Sequence, residues 1–204
     1  LPGDNGETPV NSLAAADDEP AAYDFLPRLL GHGAEIDIPD ANGHTPLMNA
    51  ALAGNESIAL ELLKSGAKVN ARDVTDYTPL HYASASALTD LMTRLIEKGA
   101  DVNACRAGGA TPLFSAIEAD SPESLLLLIN SGADPDHQDD DGKTPLLTTC
   151  EKKNPVLIFL LIASGADESI PDHSKQTPEL LCSNHPLLFH KIILPPDKIR
   201  TRTV

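Results

Sequence analysis

Long apolar runs are missing from this 204-residue chain. The longest are interrupted within a helix's length, which excludes a helix able to span a bilayer. Cysteine is scarce: Cys105, Cys150 and Cys182 are too few and too scattered for a disulfide framework. Their odd number points to reduced thiols and an intracellular compartment, cytoplasm or nucleus. Positive charge is also short, with 15 Lys and Arg against 30 Asp and Glu, a net charge of −15. Nucleic acid and anionic membrane would both be repelled. A basic protein partner is permitted by that charge and not demanded by it. No Met opens the chain, and no basic, apolar, small-residue leader follows Leu1, so a segment of a longer protein is expected. What remains, 41% hydrophobic and 22% charged, is the composition of a folded protein rather than a disordered one.

What the chain has in abundance is self-similarity. Thr-Pro occurs at Thr8-Pro9, Thr45-Pro46, Thr78-Pro79, Thr111-Pro112, Thr144-Pro145 and Thr177-Pro178, the last five each 33 residues apart. Gly-Ala recurs at Gly33-Ala34, Gly66-Ala67, Gly99-Ala100, Gly132-Ala133 and Gly165-Ala166 with the same step. Thr caps a helix start and Pro fills the first helical position, where its missing N–H is harmless. A short helix of small and apolar residues follows. A second helix starts about ten residues later, visibly at Ser121-Pro122 and Asn154-Pro155, and runs through pairs such as Leu62-Leu63 and Leu128-Ile129. It ends at a glycine free to turn left-handed. Asn42-Gly43, Gly108-Gly109 and Asp141-Gly142 then mark tight hairpins. Each period is therefore helix, turn, helix, hairpin.

The stretch from Asp73 to Asn103, with Thr78-Pro79-Leu80-His81 and Gly99-Ala100-Asp101-Val102-Asn103, resembles an ankyrin repeat almost position for position. The resemblance covers roughly residues 4 to 194. It implies an all-α solenoid of helix-turn-helix units joined by β-hairpin fingers, in repeat units of about 4–39, 40–72, 73–105, 106–138, 139–171 and 172–194. Four of these are full repeats between two partial, capping ones. Residues 195–204, with Lys198, Arg200 and Arg202, form a short basic tail. Leu187, Leu188, Phe189, Ile192 and Ile193 give the last unit an apolar second helix, as a cap needs.

Departures from the pattern carry expectations of their own. The interval from Thr8 to Thr45 is 37 residues, and Asp17-Asp18-Glu19-Pro20 is the place for the extra four, as a lengthened loop between the first two helices. Asp76 and Ala87 stand where glycines are usual, and Thr149 where Ala50, Ala83 and Ala116 stand in other repeats. Local distortion is expected at these sites.

Catalytic chemistry is not legible. His81 is the family-typical histidine, with a structural role toward the neighbouring finger's backbone, and Met48, Phe114, Leu147 and Leu180 replace it elsewhere. His32, His44, His137, His173, His185 and His190 fall on turns or caps with no cysteine at metal spacing, and read as surface histidines. Cys150 and Cys182 read as small core residues, and none of the three cysteines has a CxxC partner. Asp139, Asp141 and Gly142 mimic part of a calcium loop, but its first and twelfth positions would be His137 and Thr148, which fails. No enzyme, cofactor or metal is expected.

The resemblance implies binding to a partner protein through fingertips and a concave groove, by a monomeric domain that is part of a larger adaptor, regulator or effector. Candidate contacts are Asn42, His44, Arg72, Thr75 and Tyr77 on fingers, and Leu52, Ser86, Glu118 and Glu151 in the groove. Asp139, Asp140 and Asp141 make an acidic fingertip, read equally as a solvated finger. Two alternatives stand beside this: an acidic inhibitor masking a basic partner such as a transcription factor, and the targeting domain of an enzyme whose catalytic part lies outside the chain. Asn70 and Asn103 resemble ankyrin asparagines that an oxygenase hydroxylates in animal cells.

Overall fold

The protein is described by a computed structural model that covers residues 8–16 and 20–183, and side chains except those of 20–24 and 182–183. Asp17 to Glu19, the Cys182 side chain and everything from residue 184 onward, including both late histidines, the expected cap helix and the basic tail, lie outside the described residues. The chain divides into two compact units, Leu1–Ala133 and Asp134–Val204. All regular structure among the described residues is helical.

Unit one holds α1 (Pro9–Ala14), α2 (Pro20–Gly31), α3 (Pro46–Leu52), α4 (Glu56–Lys64), α5 (Pro79–Ala85), α6 (Thr89–Glu97), α7 (Pro112–Glu118) and α8 (Pro122–Asn130). Unit two holds α9 (Pro145–Lys152), α10 (Pro155–Ala163) and α11 (Pro178–Ser183). The Thr-Pro pairs start the first helix of each period. Thr8 Oγ1 accepts the Asn11 amide at 3.1 Å, and Thr144 Oγ1 that of Leu147 at 3.2 Å. Within unit one α3 packs against α1, α4 and α5, and α5 against α7. In unit two α9 packs against α10 and α11. Leu47, Leu80, Leu113 and Leu146, each directly after a Thr-Pro, are fully buried, as are Leu62, Leu95, Leu128 and Leu161 on the second helices.

Three expectations bear on local structure. The extra residues of the first unit do not simply lengthen a loop. Pro20 opens α2, which runs twelve residues where α4, α6, α8 and α10 run nine, so helix takes up part of the insertion, and the rest of the expected site, Asp17 to Glu19, lies outside the described residues. Asp76 and Ala87 do not distort the repeat. They take φ of 64° and 53°, the left-handed conformation of their counterparts Gly43 (82°) and Gly54 (75°). The misfit is local strain of about 1–2 kcal/mol per residue. Thr149 is fully buried in α9, which runs one residue longer than α3, α5 and α7, and its hydroxyl donates to the Leu146 carbonyl at 2.8 Å.

Candidate functional site

Each finger is a short loop closed on itself. Asp40 and His44 are joined by a backbone bond of 2.9 Å, Asp73 and Tyr77 by one of 3.1 Å, Arg106 and Ala110 by one of 3.0 Å, Asp139 and Lys143 by one of 3.0 Å. Four fingers start with aspartate, and its Oδ1 accepts the amides two and four residues on. Asp40 takes Asn42 and His44, Asp73 takes Thr75 and Tyr77, Asp139 takes Asp141 and Lys143, and Asp172 takes Ser174 and Gln176. This is the Asx closure of a turn. Asp139 therefore folds into its own finger, while Asp140 and Asp141 stand exposed. The signal lay in the sequence: Asp40, Asp73, Asp139 and Asp172 each precede Thr-Pro by five residues.

Neighbouring fingers are tied by backbone bonds. Val74 N–H donates to Asn42 O (3.3 Å) and Ala107 N–H to Thr75 O (2.9 Å), and in unit two His173 N–H donates to Asp141 O (3.1 Å). The approach is close enough that a Cβ on Gly142 would meet His173 Cδ2 at 2.7 Å.

The second finger is also joined to the helix behind it. Tyr82, on α5, donates to Asp73 Oδ2 at 2.5 Å, and its hydroxyl lies 3.0 Å from His44 Nε2. Burial pushes the Tyr82 phenol well up, helped by that carboxylate. Burial alone would raise the Asp73 carboxyl, but bonds from Tyr82, Thr75 and Tyr77 outweigh it and hold the group below its ordinary range. Tyr77 stacks on Tyr82 with ring centroids 5.2 Å apart, and the Arg106 guanidinium sits 4.9 Å from the Tyr77 centroid. His44 and Tyr77, two candidate contacts, thus point into a shared cluster rather than standing free, and His44 is not the plain surface histidine its turn position suggests. His81 lies fully buried beneath, Nδ1 accepting the Thr78 amide (3.1 Å) and Nε2 meeting the Ala110 carbonyl (3.3 Å). Burial lowers it to about 4, with Arg106 and Arg72 adding to the effect.

The remaining candidates face outward. Leu52 is 54% exposed, and Val74, which the repeat phase places on a finger, is 75% exposed. Asn42, Arg72 and Thr75 are exposed, and Ser86 is half-buried. Glu118 accepts from Arg106 at 2.9 Å and Glu151 from Lys143 at 2.8 Å, so a finger cation meets the end of a first helix in each unit. The bond to Glu151 raises the Lys143 ammonium above its usual value. Arg72 reaches the Cys105 carbonyl at 2.7 Å.

Asn70 and Asn103 are exposed by area but bonded through their amides. Asn70 Nδ2 donates to Gly99 O and its Oδ1 accepts from Asp101 N–H, both at 2.9 Å, stapling one repeat to the next. Asn103 Nδ2 donates to Gly132 O at 3.1 Å. Cys150 is buried and Cys105 partly so. Among the described residues no three His, Cys, Asp or Glu side chains gather in a metal-binding arrangement. No helix there is long and apolar enough to cross a membrane.

No curated protein matches the chain at a significant level. A family model described as ankyrin repeats in three copies matches residues 11–105 and 73–139. Such repeats generally mediate protein–protein interaction and are typically non-catalytic. With more than half of its length matched, with helix pairs in each period and with Thr-Pro caps at their starts, the chain belongs to the ankyrin-repeat family.

Proposed function

We propose that this chain is a protein-recognition module whose partner docks on the fingers and first helices of unit one. The supporting observation is the presence there of two exposed large apolar side chains, Val74 on the second finger and Leu52 at the end of α3, in a unit whose other large aliphatic side chains on fingers and first helices are buried or half-buried. Exposed apolar side chains are ordinary singly, and two on the face this fold uses for binding carry more weight. Asn42, Arg72, Thr75, Ser86 and Glu118 complete the contact set, with His44 and Tyr77 shaping the surface from beneath. The module works as a monomeric part of a larger adaptor, regulator or effector inside the cell. Affinity capture from the native cell, comparing wild type with the Leu52→Glu, Val74→Glu double variant, tests it. The variant should lose at least one specific partner; an unchanged set of captured proteins overturns the choice of surface.

A second reading concerns unit two, where Asp140, Asp141 and Asp167 are exposed. They suit a basic partner, and the chain would then mask that partner's positive surface. Under this reading, Asp140→Asn with Asp141→Asn weakens binding and flattens its salt dependence. Asn70 and Asn103 stay candidates for hydroxylation, which an added oxygen on either peptide from native material would reveal by mass.

A further inference from the structure

The third finger lacks a part that the other four possess. Where they carry Asp40, Asp73, Asp139 and Asp172, it carries Arg106, a side chain that cannot accept a hydrogen bond. The amides of Gly108 and Ala110, equivalent to those that the four aspartates cap, therefore have no carboxylate to bond. The same gap reaches α7. Asn49 and Tyr82 each bond the aspartate of their own finger through Oδ2, at 3.2 and 2.5 Å, and the equivalent residue in the third repeat is Ser115. Ser115 is fully buried, and its hydroxyl has no partner. Thr111 Oγ1, 1% exposed, has none either, nor has Arg106 Nε. Among the described residues these three atoms are the buried polar side-chain atoms left unsatisfied, and all belong to this one repeat.

Unsatisfied buried donors are costly, so a cluster of them in one repeat marks something that completes it. All of these groups can donate, and a guanidinium is among them. Glu118 takes Arg106 Nη2 and leaves Nε, and Arg72, which reaches the Cys105 carbonyl at 2.7 Å, adds a second positive charge close to the same finger. The sister fingers display the completed state: one carboxylate oxygen on the two loop amides and, in the first and second fingers, the other on the helix side chain. We propose that the third finger binds a carboxylate supplied from outside, an acidic side chain or a free carboxyl terminus of the partner protein, which takes the place of the missing aspartate. This rests on the reading of the chain as a recognition module, and it adds that the partner segment on the third finger is acidic although the chain as a whole is too.

The test uses the full chain and follows the Gly108 and Ala110 amides in ¹H–¹⁵N spectra during titration with three peptides. One is acetyl-Ala-Glu-Ala-amide, one is acetyl-Ala-Ala-Ala with a free C-terminus, and one is acetyl-Ala-Gln-Ala-amide. Saturable downfield shifts are expected for at least one carboxylate peptide, with the Gln peptide at least fivefold weaker. Which of the first two binds tells side chain from terminus. Arg106→Asp should abolish the response, because the finger then caps itself, and Arg106→Gln should weaken it at least fivefold while leaving the helical circular dichroism intact. A flat titration, as when water alone fills the gap, overturns the proposal, and so does an equal response in Arg106→Asp. Neither result touches Leu52 and Val74, so the binding surface stands or falls separately.

Discussion

The second and third fingers close with the same backbone bond, and two of the exchanges between them change how they are capped. In the second, Asp73 binds its own turn and Tyr82 behind it. In the third, Arg106 stands in the first position and Ser115 in the second. The second finger is thus complete in itself, while the third leans outward, its cation placed over Tyr77 and against Glu118. A repeat can keep its backbone and give up its internal acceptor, because the loop is closed by the backbone bond between Arg106 and Ala110 whether or not a carboxylate is present.

That contrast predicts unequal losses. Asp73→Ala removes the acceptor for two amides and two hydroxyls at a buried position and should cost about 4 kcal/mol in chemical denaturation. Arg106→Ala, which loses a partly exposed ion pair, should cost less than about 1 kcal/mol. Equal losses would erase the distinction. Because the Asp73 carboxyl is depressed in the fold, its contribution is full above the ordinary carboxylate range and is lost as pH falls through its folded value.

His81 should give the next largest effect. Its folded value of about 4 lies below the model-peptide 6.5, so the unfolded chain binds the extra proton between them. Stability therefore falls as pH drops from about 6.5 to 4, by about 3 kcal/mol. His81→Leu, the residue type found at Leu147 in the fourth repeat, should flatten the denaturation profile across that window. An unchanged slope would place the pH dependence elsewhere.

Period, helix starts and helix pairs were all legible, because Thr-Pro and Gly-Ala act locally on backbone and capping. The finger aspartates were present in phase, yet among them Asp139 alone was read for its chemistry, and as charge, since an Asx closure and an acidic surface use the same residue type. Tyr77 read as a fingertip anchor because its position is on the finger. Its ring direction is set by Tyr82 and Arg106, five residues on and a full repeat away. The insertion after Thr8 read as loop because its acids favour turns, whereas a helix opened by Pro20 takes up part of it.

Smaller effects sharpen the comparison between repeats. Ala87→Gly should stabilise by about 1 kcal/mol, relieving a left-handed alanine where the previous repeat has Gly54. A loss of stability would mean that Ala87 is not strained. Leu52→Glu and Val74→Glu should each change stability by less than about 0.5 kcal/mol, as exposed positions do. A larger loss by thermal melt would show these side chains serve the fold rather than a partner.

The ties between fingers, Val74 to Asn42 and Ala107 to Thr75, use only peptide groups. Any L-residue but proline can donate at positions 74 and 107 without loosening them. Mutation at these two positions can therefore alter what the fingertips recognise at a rate uncoupled from selection on the scaffold, and two descendants of this chain could share a fold to the last turn while answering to unrelated partners.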